Sequence, residues 1–336
     1  MNNASEQSIC ILGRQPELGL AELESLYGAS AIRRVSQHVA LINLPDTEIT
    51  FSRLGGSTRL AQVVSVLSSS NWKVVEKELA KLARKDELTT LASGKLHLGI
   101  SAYGFSQTPA KIQATALTLK KILRTDDRSV RVVPNPEVEL NTAQVLHNQL
   151  ATDKGVEVLL IADGAKTIIA VTTSVQDIDS YTLRDRGRPK RDARVGMLPP
   201  KLAQIIINLA VGILPKSSLD KIAKIPTGKA IPSAFTDRTI LDPFCGTGVV
   251  LQEALLMGYD VIGTDLEPRM IDYSQQNLDW LSRLHEWDLP SFTLKAGDAT
   301  SIEWDRSLAP GKSLPFLDFV ACETYLGRPF TTTPTT

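Results

Sequence analysis

The sequence predicts a chain in two parts, an α+β portion followed by an α/β portion built on parallel strands. Three observations predict it. From residue 239 a short apolar run (Thr239 to Leu241), a glycine turn, an apolar-periodic helix (Val249 to Met257) and a second apolar run (Val261 to Gly263) follow one another as β-α-β. Before residue 175, alternating strands and amphipathic helices succeed one another in the order α-β-α-β-α-β-β. Between the parts lies a basic stretch, Arg184 to Arg194, with six basic residues against two acids.

The composition sets bounds. A chain of 336 residues has room for about two or three domains, and 43% hydrophobic content is enough for real cores. Lys+Arg and Asp+Glu are equal at 37 each, so any contact with nucleic acid has to come from a local patch. Cys10, Cys245 and Cys322 lack metal-ligand spacing and leave an odd number for pairing, which points to a reducing cytosol. The four histidines are scattered singly, and no metal site is expected. The start, MNNASEQS, is unlike a signal peptide, and no apolar run reaches the length of a membrane span. The expectation is a cytoplasmic protein with no membrane partner.

In chain order, Ile9 to Leu12 reads as a strand, and Leu18, Ala21, Leu23 and Leu26 share one helix face. Strands around Ile32 to Val35 and Val39 to Leu44 complete a small unit over residues 1–50. Over residues 51–175, a helix from Trp72 to Ala92 carries the stripe Trp72, Val75, Leu79, Leu82 and Ala83. Lys95 to Ala102 alternates as a half-buried strand, and Thr108-Pro109 opens a helix by its cap and fixed dihedral. Val130 to Val133, Val156 to Ala162 and Thr167 to Thr172 supply strands, with a helix from Thr142 to Leu150 between the first two. Residues 176–238 read as a basic linker followed by an apolar helix, Lys201 to Val211, and an exposed Pro/Lys-bearing connection. From 239 the β-α-β unit continues with a helix, Pro268 to Arg283, a strand, Phe292 to Lys295, and a fourth strand, Leu317 to Ala321.

The glycine turn DPFCGTG narrows the chemistry. A phosphate-gripping loop needs Lys-Ser/Thr after its second glycine, where Val249-Val250 stand, and a dinucleotide fingerprint needs a third glycine, where Leu251 stands. What remains is a glycine loop opposed by Asp242. That carboxylate would repel pyrophosphate and suit a ligand with a cationic amino-acid end. Asp265, roughly twenty positions on, stands where a ribose diol would lie. An ordinary strand-turn-helix corner would explain the glycines, but not Asp-Pro-Phe beside them or the spaced acid.

DPFCGTG resembles motif I of class I S-adenosylmethionine-dependent methyltransferases, especially those that methylate exocyclic amines of nucleic acid bases. RDRGRPKRDARVGMLPPKLAQ resembles the inter-domain segment of the tRNA guanine-10 N2-methyltransferase family. LGGSTRLAQVV and the ISAYG strand look like a THUMP domain preceded by a ferredoxin-like unit, modules that accompany RNA-modifying enzymes and engage the acceptor end of tRNA. The resemblance implies a ferredoxin-like unit over 1–50 and a THUMP domain over 51–175. It further implies a linker with its helix over 176–238, and a Rossmann-like methyltransferase domain with an incomplete sheet over 239–336. It also implies S-adenosylmethionine as cofactor, held by Met197, Asp242, Phe244, Gly246, Gly248, Asp265, Leu266 and Asp298. The partner it implies is tRNA, with phosphates neutralised by Arg184, Arg186, Arg188, Lys190 and Arg191.

In that family an (Asp/Asn)-Pro-Pro-aromatic tetrad after the fourth strand accepts hydrogen bonds from the target amine and stacks on its base. Here the tetrad is Glu323-Thr324-Tyr325-Leu326. An acid is retained, both prolines are missing and the ring sits one place early, so Glu323 and Tyr325 are the candidate catalytic residues. Because the family's sheet continues for three more strands and this sequence ends in FTTTPTT, the expectation is a catalytic domain cut short after strand four, or a sheet edge covered by something else. Two other readings stay open: a module that grips tRNA or cofactor without turnover, and a DNA amino-methyltransferase. Oligomeric state is left open by the sequence.

Overall fold

The computed structural model describes residues 6–89, 91, 93–192, 198–215, 218, 222, 238–286, 289–301 and 317–324. The chain divides into two compact units, one of Met1–Phe51 with Gly56–Gln176, the other of Ser52–Gly55 with Asp177–Thr336.

The first unit contains β1 (Ser8–Leu12), α1 (Pro16–Tyr27), β2 (Ile32–Ser36), β3 (Val39–Ile42), β4 (Ser57–Leu67), α2 (Trp72–Arg84), β5 (Gly94–Tyr103), α3 (Pro109–Leu123), β6 (Arg128–Val132), α4 (Thr142–His147), β7 (Ala151–Thr152), β8 (Gly155–Asp163) and β9 (Lys166–Val175). Its strands form one sheet in the order β2-β3-β1-β4-β9-β8-β5-β6, with β7 paired to β8. Side chains alternate between its faces, as the two-residue period requires. Val158 and Leu160 join Leu96, Leu98, Ile100 and the stripes of α2 and α3 in one core. Leu159 and Ile161 join Ile9, Ile11, Val39 and Leu41 in another. The helix starts follow their caps: the Asn71 side chain accepts from Lys73 N–H, and the Thr108 side chain from Lys111 N–H with Pro109 following.

The structure differs from or adds to the sequence reading at three points. Residues 1–50 and 51–175 contribute to one sheet, in which β1 pairs antiparallel with β4 from Ser8↔Gln62 to Leu12↔Ser57. The helix expected to reach Ala92 ends at Arg84, and Asp86 follows with φ 54, outside helical space. β4, which pairs with both β1 and β9, is an 11-residue strand that the sequence hid behind polar residues. Ser57 and Arg59 within it are buried, so its polar positions do not mark a solvent face.

The second unit contains α5 (Ile178–Arg186), α6 (Pro200–Val211), β10 (Thr239–Asp242), α7 (Val249–Leu256), β11 (Asp260–Asp265), α8 (Pro268–Leu284), β12 (Phe292–Ala296) and β13 (Phe319–Val320). Among the described residues its four strands are all parallel in the order β12-β11-β10-β13, a doubly wound, Rossmann-like α/β arrangement. Each residue of α7 from Val249 to Leu255 is buried, and the helix packs with α6, α8 and the strands. Part of the stretch expected as a linker is instead α5, capped by the Asp177 side chain accepting from Ser180 N–H. Most of the connection after residue 215 lies outside the described residues. Residues 52–55 belong to this unit: the buried Arg53 donates to Tyr259 Oη at 2.7 Å, and Asn208 Nδ2 donates to the Arg53 carbonyl at 2.7 Å. Among the described residues, no helix is long and apolar enough to cross a membrane, and no cluster of His, Cys, Asp and Glu could hold a metal.

Candidate functional site

In a parallel α/β sheet, ligands bind outside the carboxyl ends of the strands, where the strand order reverses. Here that place lies between β10 and β13. β10 ends on Asp242, and the loop 243–248 runs from it into α7. Gly246 (φ 52) and Gly248 (φ 82) hold the left-handed geometry that closes the turn, with Gly248 N–H donating to Cys245 O at 2.7 Å. A Cβ on Gly248 would stand 2.9 Å from Ser274 Oγ, whereas one on Gly246 would meet nothing within 4 Å. The space beside Gly246 is therefore open, and it is backbone conformation that selects glycine there.

The loop is held from two sides. From β11, Cys245 N–H donates to Thr264 O at 2.8 Å and the Thr264 hydroxyl to Pro243 O at 3.0 Å. From α8, the Ser274 hydroxyl donates to Gly246 O at 2.9 Å and Asn277 Nδ2 to Thr247 O at 2.8 Å. Asp265 joins loop and strand: its Oδ2 accepts from Gly246 N–H and its Oδ1 from Glu267 N–H, each at 2.9 Å. These bonds fix the carboxylate's orientation and leave it further lone pairs for a ligand hydroxyl.

Asp242 is buried, and burial pushes its carboxyl up to about 7, against a Phe244 N–H that favours the charged form; Asp265 and Glu323 push it up further. A cationic group brought beside it would draw off the proton. Glu323, just past β13, is exposed. Phe244 and Leu266 are exposed apolar residues on the loops after β10 and β11, 47% and 71% accessible, so each offers a surface to a ring. Gly297 N–H donates to Asp265 O, and the exposed Asp298 follows it. Asp298 Oδ1 accepts from the backbone N–H and the hydroxyl of Thr300, which hold its carboxyl below the usual range. Burial raises the Cys245 thiol far from thiolate formation, so the cysteine of this loop packs rather than reacts.

Asp242, Gly246, Gly248 and Asp265 are brought together by these bonds. Met197 and Tyr325 lie outside the described residues. The basic patch is corrected. Arg184 donates to Glu253 Oε1 at 2.8 Å and lies over the Tyr181 ring, and Arg188 is buried, so neither is open to a phosphate chain. Arg186 and Arg191 are exposed, and Lys190 lies 5.3 Å over the Tyr273 ring. Sequence reasoning missed Ser274, Asn277 and Glu253. The signal was present: Ser274 and Asn277 interrupt the buried stripe of Met270, Leu278 and Leu281 on α8, and Glu253 stands beside Gln252 on an otherwise apolar helix.

No family model matches the chain. A stretch of 113 residues is 32% identical to the tRNA (guanine(10)-N2)-dimethyltransferase of Methanothermobacter thermautotrophicus, covering 34% of this chain and 25% of that one. A stretch of 116 residues is 31% identical to the protein of the same name from Pyrococcus abyssi, with the same coverage. These matches span about a quarter of the length of the curated relatives. Among solved structures, TrmN from Thermus thermophilus superimposes with a TM-score of 0.47 at 16% identity, over 87% of this chain and 73% of that one. Over about a third of its length, then, this chain is similar in sequence to tRNA (guanine(10)-N2)-dimethyltransferases.

Proposed function

We propose that the chain belongs to a methyltransferase that transfers a methyl group from S-adenosylmethionine to an exocyclic amine of a tRNA base, guanine N2 first among candidates. The observation that carries this reading is the junction of Gly246 and Asp265: an open space beside a left-handed glycine, with the strand-end carboxylate fixed by the loop's own N–H. The residues present fit the cofactor. Asp265 would take the ribose diol, Asp242 the ammonium of the methionine end, and Gly246 and Gly248 the close backbone approach. Phe244 and Leu266 would flank the adenine and Asp298 would accept from its amine. Bound there, the sulfonium supplies an electrophilic methyl group.

The chain's own residues position and desolvate the acceptor. An aryl amine is a weak nucleophile because its lone pair is delocalised into the ring. Glu323 would accept a hydrogen bond from that amine, raising its electron density and later taking up its proton. Tyr325 would stack on a base brought out of the nucleic acid stack. The first unit would hold the tRNA, with Arg186 and Arg191 the exposed cations of the basic segment.

Single-turnover transfer of labelled methyl groups tests this reading. Unmodified tRNA is expected to be labelled and duplex DNA not, and Glu323→Gln is expected to lower the rate by about 100-fold or more. Labelled DNA with unlabelled tRNA would replace the substrate. Cofactor binding with no transfer to either would leave a binding module.

A further inference from the structure

The functional reading above gives the segment 187–190 no role in the cofactor site, yet its backbone is tied to the glycine loop. Asn277 on α8 accepts from Lys190 N–H at 2.9 Å and donates to Lys190 O at 2.9 Å, and the same amide donates to Thr247 O at 2.8 Å. One side-chain amide thus bridges the basic segment and the loop. It holds Arg188, two residues from Lys190, in the neighbourhood of the site.

The Arg188 side chain is 3% exposed, and its Nε, Nη1 and Nη2 find no hydrogen-bond partner among the described residues. An arginine cannot discharge itself by losing a proton, so a buried guanidinium with every donor unused is a costly state that an incoming acceptor would relieve. The charges acting on it do not provide that acceptor. Glu253 and Asp185 favour its charge and Arg191 opposes it. Of these, the buried Glu253 accepts from Arg184 and Gln252 through Oε1, and its Oε2, buried as well, takes no hydrogen bond from Arg188. Two buried arginines therefore meet one buried carboxylate.

We propose that Arg188 is a ligand-binding residue that receives a small carboxylate, the carboxylate of the amino-acid end of the nucleoside held by the glycine loop; this rests on the functional reading above. Asp242, Asp265 and Glu323 answer the ammonium, the diol and the target amine, and all three are carboxyl groups, which offer another carboxylate no counter-charge. The ligand's carboxylate needs a cation, and a planar guanidinium matches it with two parallel hydrogen bonds. A phosphate of an RNA chain is the other anion at hand. At 3% exposure, however, the guanidinium is closed to a polyanion passing over the surface.

Calorimetry on the whole chain tests this with two probes, S-adenosylhomocysteine and the same molecule without its carboxylate. The wild type is expected to bind the intact ligand about 10- to 100-fold more tightly, the range for hydrogen bonds to a charged partner. Arg188→Gln is expected to abolish that ratio while leaving affinity for the decarboxylated ligand unchanged, and Arg188→Lys to keep part of it. Equal wild-type affinity for the two ligands would overturn the proposal without any variant, so a variant that fails to fold does not shelter it. A ratio that survives in Arg188→Gln would overturn it too, and a lowered melting temperature beside that ratio would make Arg188 a structural partner of Glu253. Wild-type protein that binds neither ligand would overturn the functional reading itself.

Discussion

Arg59 in the first unit and Arg188 in the second are equally buried, each 3% exposed, and they live in opposite circumstances. Arg59 donates to the Tyr103 hydroxyl at 2.5 Å and to the Leu140 carbonyl, and its Nε faces Glu157 at 3.4 Å. Glu157 in turn accepts from Ser101 at 2.6 Å and Thr172 at 2.7 Å, so hydrogen bonds link β4, β5, β8 and β9, and of the guanidinium nitrogens Nε alone has the ion pair without a hydrogen bond. Burial pushes the Tyr103 hydroxyl above its ordinary range against the pull of Arg59, with Glu157 adding to the rise, keeping it a neutral partner. Arg188 has no such closure among the described residues. A closed network specifies how a sheet packs, whereas an open one is held by the rest of the fold and waits for its complement.

The comparison breaks most visibly if a partner is taken from Arg59. Glu157→Gln leaves a buried cation without its counter-charge and is expected to cost about 3–5 kcal/mol of stability, read by chemical denaturation. A loss under about 1 kcal/mol would mean that solvent reaches the network. Arg188→Met should act with the opposite sign: removing an unpartnered buried cation is expected to be neutral or to stabilise the ligand-free chain by about 1–3 kcal/mol, against a clear loss for Arg59→Met. A loss at both positions would erase the distinction.

Asp242 sharpens it through pH. Its carboxyl stands at about 7 in the folded chain against 3.8 unfolded, so the fold favours its protonated form. The stability that this group contributes is full below pH 3.8, falls as pH rises through about 7 and is level above. Asp242→Asn is expected to flatten that part of the profile of melting temperature against pH. Affinity for a ligand ammonium is expected to rise across the same window in the wild type and to stay level in the variant. Smallest of all is the exposed Arg34–Glu17 pair at 2.7 Å, where Arg34→Ala is expected to cost under about 1 kcal/mol and to be insensitive to ligand.

Much of this was legible in the sequence, for physical reasons. The glycines of the loop, the strand-end Asp242 and Asp265, and the caps Thr108-Pro109 are local signals, set by backbone geometry within a few residues. The alternation of Lys95 to Ala102 is local too, and the strand is there as Gly94–Tyr103. What stayed hidden depends on partners far along the chain. β4 looked polar because Arg59 is paid for by Glu157, 98 residues away by their numbers. The basic segment looked like a patch for phosphates throughout because the partner of Arg184, Glu253 on α7, shows only once the helix is folded. The single sheet joining β1 to β4 follows from register, which the run of residues from 43 to 56 does not announce.

The most direct test of the account is titration of S-adenosylhomocysteine into the folded whole chain beside its Asp265→Ala variant. The account predicts saturable one-to-one binding by the wild type and a loss of about 10-fold or more in the variant, as a charged hydrogen bond to a ribose hydroxyl disappears. No heat of binding in the wild type, or the same affinity in both proteins, would contradict it.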